Sequence, residues 1–413
     1  MSLTIEQQEA HDEIINLIVN KKYPKVILDG PAGVGKTYLV NRIIRNFRNQ
    51  TYTFDRKGNR QVELVYVTAP TNKALSVVRG KVNPGSNISF STTHSGLKLR
   101  RKWDNDTGEV YFAQEYHQDW PPFKNAKLII IDEASMINKL LLKYLMKVEC
   151  PVIFIGDRNQ IPPVGEVISP IYEMNWPTVR LTKIVRQAEG NPIINLSRNL
   201  NLINLKQNNV TEDMIGYVHT LKRPKIIEEL SEVNGTDEMK YLAYTNTEVD
   251  VINSSVRNRI YGSPAMLEQG ETIVLNAPYE DKYYTNQEVK IHDLDITTQN
   301  HYGKELKIYK INDEMNVVHE SSIRDFKDIK IEIKNRCKNK LSDWKEYYGF
   351  LESFAEFKYN HALTVHKSQG STFKNTILNV GNIRLNRKKH EVTKLLYTGV
   401  TRASDLLILY NVR

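Results

Sequence analysis

Gly30-Pro31-Ala32-Gly33-Val34-Gly35-Lys36-Thr37 stands between Val26-Ile27-Leu28-Asp29 and Tyr38-Leu-Val-Asn-Arg-Ile-Ile-Arg45. The first flank is a short apolar run, the mark of a buried strand. The second carries apolar residues at helical spacing. A strand, a glycine-rich turn and a Lys-Thr pair opening a helix together read as a phosphate-binding loop. Its glycines let backbone N–H groups turn inward around a phosphate, and the helix N-terminus adds partial positive charge. Lys36 is placed to reach the β/γ oxygens and the Thr37 hydroxyl to ligate Mg²⁺. Residues 30–38 are therefore the expected ATP contacts, Tyr38 included.

The rest of the chain repeats the strand-then-polar-cluster pattern. Val62–Val67 reads as a strand leading into Thr68-Ala-Pro-Thr-Asn-Lys-Ala74, followed by Ser91-Thr-Thr-His-Ser95. Lys127-Leu-Ile-Ile-Ile-Asp-Glu133 runs into two carboxylates, and Pro151-Val-Ile-Phe-Ile-Gly-Asp157 into Arg-Asn-Gln160. Buried strands alternating with helices predict an α/β fold with a parallel sheet, whose ligands sit at strand carboxyl ends. A second unit starts near Leu181, with strands expected at 239–244, 376–380 and 406–410. Short alternating strands between about 264 and 340 suggest an inserted β-barrel. Residues 97–124 interrupt the first unit: the Asn105-Asp-Thr-Gly108 turn between strand-forming residues reads as an inserted β-hairpin. Trp344, Tyr347, Tyr348, Leu351, Phe354 and Ala355 recur at helical spacing and read as core.

Length, at 413 residues, demands several domains. A formal charge of +9 and an isoelectric point near 9.1 suit a polyanionic partner. Cys150 and Cys337 fall outside any CxxC pattern, which argues against a zinc ribbon or disulfide framework and suits a reducing compartment. No run is long enough to span a bilayer and no apolar signal segment is visible, so a cytoplasmic protein with no membrane partner is expected.

Two carboxylates at a strand end beyond a phosphate loop assign Asp132 to Mg²⁺ and Glu133 to the attacking water. Taken in order, the polar clusters resemble the motifs of superfamily 1 helicases, and within them those of the RecD-like B branch. Leu3–Gln7 is similar to the adenine-reading Q motif, Gly30–Thr37 to motif I, Ala69–Ala74 to Ia and Ser91–Ser95 to Ib. Ile131–Met136 resembles motif II, Gly156–Gln160 motif III, Leu181–Arg186 motif IV, Leu363–Gly370 motif V and Tyr397–Arg402 motif VI. Pro162 departs from the arginine expected there.

The resemblance implies two RecA-like parallel-sheet domains, 1–96 with 125–180 and 181–263 with 341–413. The hairpin 97–124 would be a pin inserted in the first domain, and 264–340 a small SH3-like β-barrel inserted in the second. It implies a monomeric ATP-dependent DNA helicase moving 5′–3′ on single strands and opening duplex junctions. Replication or recombination proteins stand as further candidate partners. Gln7 would read adenine; Gln160, Arg186, Gly370 and Arg402 would sense the γ-phosphate, beside Lys36 and Glu133. Pro70, Thr71, Thr92, His94, Thr364 and His366 would line the strand track. Trp103 and Tyr111, flanking the hairpin turn, would stack on bases at the junction. A phosphate-loop kinase or simple NTPase would need neither the two arginine motifs nor Thr364–Gly370. A nucleic-acid clamp using ATP only as a conformational ligand is the non-enzymatic alternative.

Overall fold

The computed structural model describes residues 3–412 except 21–23, 48, 50, 55–58, 83–84, 116–121, 186–189, 221, 234–237, 263 and 281. Its first unit is built on a six-stranded sheet, in the order Thr178–Arg180, Lys25–Asp29, Val152–Gly156, Ala126–Ile131, Leu64–Ala69, Ile88–Thr92. Every pairing is parallel. Successive strand residues point to opposite faces, and both faces are apolar. Val26 and Leu28 join Ile14, Leu39 and Ile43 from the helices Ile5–Val19 and Lys36–Asn46 on one side. Ile27, Ile129 and Phe154 join Leu141, Leu142 and Leu145 of the Lys139–Leu145 helix on the other. Sequence periodicity reads Val62–Val67 as one strand. Here it is split at Glu63: Arg60–Val62 turns away to pair with Tyr52–Phe54, and Leu64–Ala69 enters the sheet.

The second unit repeats the plan: Asn209–Val210, Gly216–Thr220, Ala403–Tyr410, Phe373–Asn379, Met239–Ala243, Ala362–Thr364. Its pairings are parallel apart from the first. Leu242, Leu378 and Leu407 pack on Leu395, Leu396 and Val400 of the Lys389–Val400 helix. Tyr241, Ile377 and Ile408 pack on Val249, Ile252 and Val256 of the Asn246–Tyr261 helix.

Two small antiparallel sheets follow: Glu288–Lys290, Thr272–Leu275, Phe357–Tyr359, and Leu294–His301, Lys304–Ile311, Met315–Val318. They share one core of Ile273, Leu275, Val289, Tyr309, Ile311 and Val317. A second cluster, with Leu306 and Ile308 at its base, gathers the helices Ile323–Lys338 and Trp344–Glu352. The aromatic stripe is core, as its spacing predicts: Trp344, Tyr347, Tyr348 and Phe354 are all buried. Residues 344–359 therefore pack with the small sheets, beyond the boundary at 340 read from sequence, because Phe357–Tyr359 is needed to complete one of them.

Between the Thr93–Gly96 helix and the Ala126–Ile131 strand, Leu99–Trp103 pairs antiparallel with Val110–Gln114. The Asp104 carboxylate accepts from the backbone N–H groups of Asp106 and Thr107 and from the Thr107 hydroxyl, which holds the turn. Gly108 closes it at φ +70°. The tip rests on the Trp344–Glu352 helix: the Tyr348 hydroxyl donates to the Gly108 carbonyl at 2.6 Å, and Lys340 pairs with Asp106 at 3.3 Å. No helix among the described residues is long and apolar enough to cross a membrane.

Candidate active site

The phosphate loop leaves the carboxyl end of Lys25–Asp29, a strand flanked on both sides in the first sheet. Gly33 and Gly35 take φ of +82° and +78°, which a side chain would resist. Lys36 is turned onto its own loop, donating to the carbonyls of Gly30 at 2.5 Å and Pro31 at 2.9 Å. Gln7, expected to read adenine, commits both amide atoms inside the protein. Its Nε2 donates to the Val34 carbonyl at 3.0 Å, and its Oε1 accepts from Thr4 N–H at 3.1 Å in a capping box. Tyr38 lies one residue into the helix, its hydroxyl accepting from Arg42 at 2.8 Å.

Asp132 and Glu133 follow the neighbouring Ala126–Ile131 strand. Burial pushes both carboxyl groups up, and the nearby Lys36 charge draws them back. Glu133 sits at φ +50°, a strained conformation for a residue with a side chain, of the kind that collects at functional sites. From the third strand end, the Gln160 Oε1 is buried with no hydrogen-bond partner among the described residues. Arg402 arrives from the opposite unit, 5% exposed, held by the carbonyls of Thr398 and Ser371 at 3.0 Å each. Its charge and that of Glu133 stabilise one another. Arg186 lies outside the described residues. Gly370, expected at the γ-phosphate, lies against Ala74 of the Asn72–Lys81 helix. There φ is +72°, and a Cβ would come 2.7 Å from that of Ala74.

The donors fit a magnesium nucleotide: a hydroxyl from Thr37 and a carboxylate from Asp132 are hard oxygen ligands beside a loop of backbone N–H groups. Both carboxyl groups lie where burial disfavours their charge until a cation neutralises it.

A groove of about 390 Å³ is lined by both units. Thr71, Met136, Pro162 and Val164 line it from the first unit, and His366, Lys367 and Gln369 from the second. Thr71 and Thr92 cap short helices through their hydroxyls, accepting from the N–H groups of Ala74 and Ser95 at 3.2 Å each. The His94 ring donates to the Pro70 carbonyl and meets the hairpin's Phe112 at 5.4 Å, and burial lowers its pKa. Thr364 is buried, its hydroxyl receiving the Lys367 N–H at 3.4 Å. His366 faces Tyr244 at 6.2 Å. Trp103 packs on Tyr348 at 5.0 Å inside the small unit's second cluster, while Tyr111 is 48% exposed. Lys73, Asn286 and Lys367 also reach the groove or its side pocket, and were not singled out from sequence. Lys73 and Lys367 stand beside Thr71 and His366 in the motifs, the one signal that could have found them, whereas Asn286 lies in the small unit with no such signal.

The AAA domain family matches residues 2–221, and the UvrD-like helicase C-terminal domain matches residues 359–410. The ATP-dependent DNA helicase dda of Enterobacteria phage T4 is 26% identical over 456 residues, covering 97% of each chain. The RecBCD enzyme subunit RecD of Buchnera aphidicola (subspecies Schizaphis graminum) is 23% identical over 482 residues, covering 99% of this chain and 76% of that one. Among solved structures, Pif1 helicase from Bacteroides in complex with ADP-AlF3 and ssDNA superposes with a TM-score of 0.51 at 18% identity. It covers 99% of this chain and 92% of that one, a likeness that bears on the fold alone. The two parallel-sheet units are thus a RecA-like pair, and the chain belongs to the AAA domain family and to the superfamily 1 helicases related to Dda.

Proposed function

We propose that this chain hydrolyses ATP in the cleft between its two RecA-like units and uses the cycle to move 5′–3′ along single-stranded DNA and part duplexes. The observation that carries this is the meeting, at one cleft, of the phosphate loop and Glu133 from one unit with Arg402 from the other. Lys36 leaves its own carbonyls for the β/γ oxygens. Glu133 takes the proton of the attacking water at its carboxylate. Arg402, joined by Arg186, stabilises charge spread over the departing γ-phosphate. Gln160 offers its unpartnered amide oxygen to the same water. Thr37 and Asp132 would hold Mg²⁺, which when bound neutralises charge on the β- and γ-phosphates. Adenine reading by Gln7 would exchange its present bonds for the base.

Nucleotide draws the units together, and hydrolysis releases them, so the groove that both units line shifts grip along a strand. Pro70, Thr71, Thr92, His94, Thr364 and His366 would contact phosphate and sugar, which carry no sequence information. Lys73 and Lys367 add charge. The Pif1 neighbour solved with ADP-AlF3 and ssDNA and the named activity of dda support the reading. One chain supplies both faces of the cleft, which suits a monomer. The domains would divide as 3–96 with 125–180, hairpin 97–124, 181–263 with 360–412, and an SH3-like unit enlarged to 264–359. The hairpin would be the wedge, with the exposed Tyr111 and Phe112 as its stacking face and Trp103 as its anchor.

The test is unwinding of duplexes bearing either a 5′ or a 3′ single-stranded tail. Opening only the 5′-tailed duplex supports the polarity, opening only the 3′-tailed one reverses it, and ATP hydrolysis without opening either leaves a translocase or clamp.

A further inference from the structure

Tyr397 lies in the Lys389–Val400 helix of the second unit and is buried, yet its hydroxyl bonds only with the first unit among the described residues. It donates to Asp157 Oδ2 at 2.5 Å and accepts from the Ala32 N–H at 3.2 Å. Ala32 is a backbone donor of the phosphate loop. Asp157, 1% exposed, ends the Val152–Gly156 strand, and its second oxygen accepts from the Asn159 N–H at 3.0 Å. The Asp157 carbonyl accepts from Gln160 N–H at 3.1 Å. A single phenol is therefore fastened both to the loop that cradles phosphate and to the turn that aims Gln160.

Two further bonds grip the same turn from the second unit. Thr398 Oγ1 accepts from the Ile161 N–H at 3.2 Å, and Gln369 Nε2 donates to the Ile161 carbonyl at 2.7 Å. Those bonds hold the turn's far end. Of these three side chains, Tyr397 alone also bonds to the phosphate loop itself, at the Ala32 N–H, while it holds Asp157. A buried hydroxyl-to-carboxylate bond is charge-assisted and directional, so it transmits position well.

Resting on the hydrolytic reading above, we propose that Tyr397 is a positioning residue for ATP turnover. Closure of the cleft sets Ala32 and Gln160 in register with the γ-phosphate through the Tyr397–Asp157 bond, in addition to what the arginines supply. It touches no reacting atom.

Tyr397→Phe removes one oxygen and leaves the ring's packing. DNA-stimulated kcat is expected to fall by about 10- to 100-fold, the range for losing one charge-assisted hydrogen bond. KM for ATP should move less than about threefold, since the loop's other N–H groups still bind phosphate. The thermal midpoint should stay within a few degrees. Asp157→Asn, approached from the first unit, should give a similar kcat loss, and the double variant should be no slower than the slower single. Full parental kcat in Tyr397→Phe overturns the proposal, as do losses that multiply in the double variant. A fall in kcat matched by a fall in thermal midpoint assigns the tyrosine to packing and also overturns it. Glu133→Gln, run alongside, separates this from the underlying reading. Parental turnover in Glu133→Gln removes the hydrolytic assignment, whereas an inert Glu133→Gln beside a fully active Tyr397→Phe removes only the role of Tyr397.

Discussion

Lys36 and Glu133 fail in different ways when changed. Lys36 now satisfies its ammonium on the Gly30 and Pro31 carbonyls, so a triphosphate must outcompete two neutral acceptors. Lys36→Ala is expected to lose both ATP affinity and turnover, as read by equilibrium binding of a fluorescent ATP analogue. Glu133→Gln should bind the analogue normally and hydrolyse about 10²-fold more slowly or worse, because an amide cannot accept the proton. Normal binding by Lys36→Ala would show that the loop's backbone carries the phosphate unaided. A third residue answers to pH. His361 is 1% exposed, and its ring nitrogens find no partner among the described residues. Burial, helped by Lys240 and Arg257, lowers its pKa to about 4. The unfolded chain binds this proton near pH 6.5, so the neutral ring's contribution is complete above that value. It is lost as pH falls from 6.5 towards 4, by up to about 3 kcal/mol. His361→Gln should flatten that part of a stability-versus-pH series. An equally steep series in the variant would place the titration elsewhere.

At the level of elements, the joint between the second unit and the small sheets rests on a buried ion pair. Arg257, on the Asn246–Tyr261 helix, gives Nε to Glu271 Oε1 at 2.5 Å and Nη2 to Oε2 at 3.0 Å. It stacks 4.0 Å from the Tyr359 ring centre, and Glu271 is fully buried. Arg257→Met strands that carboxylate and should destabilise by about 3–5 kcal/mol, whereas Arg257→Met with Glu271→Met should recover most of the loss. Thermal unfolding of the three proteins decides it, and a double variant as weak as the single would refute the account. Such a joint could not be read from the chain, because its partners lie 14 residues apart with no periodicity to mark them. What could be read were features that local chemistry dictates: the phosphate loop, the alternating buried strands, and the Gly108 turn. Strand ends bearing Asp132, Glu133 and Gln160 followed from the α/β rhythm. Tyr397 and Asp157 fall within the stretches similar to motifs VI and III, but nothing in the sequence pairs them, because 240 residues separate the hydroxyl from the carboxylate it meets. Trp103 was read as free for a base because its partner Tyr348 lies more than two hundred residues away.

Across the whole molecule, the first unit's hairpin and the small unit's helix brace one another. Trp103 lies on Tyr348, Arg101 stands 5.3 Å from the same ring, and the Tyr348 hydroxyl holds the Gly108 carbonyl. A two-stranded ribbon alone is marginally stable in water, so a wedge made from one needs outside support. Here the support comes from a helix packed on the second unit's insertion, which means that movement between the units is felt at the hairpin tip. Gly108 is where this contact is tightest. It holds φ +70°, and a Cβ there would run into the Trp344 ring. Gly108→Ala should therefore lift the tip from the helix while leaving the phosphate loop and the groove untouched. DNA-stimulated ATP hydrolysis is expected to stay within about twofold of the parent, while unwinding of a tailed duplex falls by about tenfold, the equivalent of roughly 1.4 kcal/mol of lost support at the junction. The comparison is between steady-state hydrolysis on single strands and strand separation under single-turnover conditions. Equal losses in both would mean that the brace serves closure of the cleft, and parental unwinding would mean that duplexes are parted somewhere other than this hairpin.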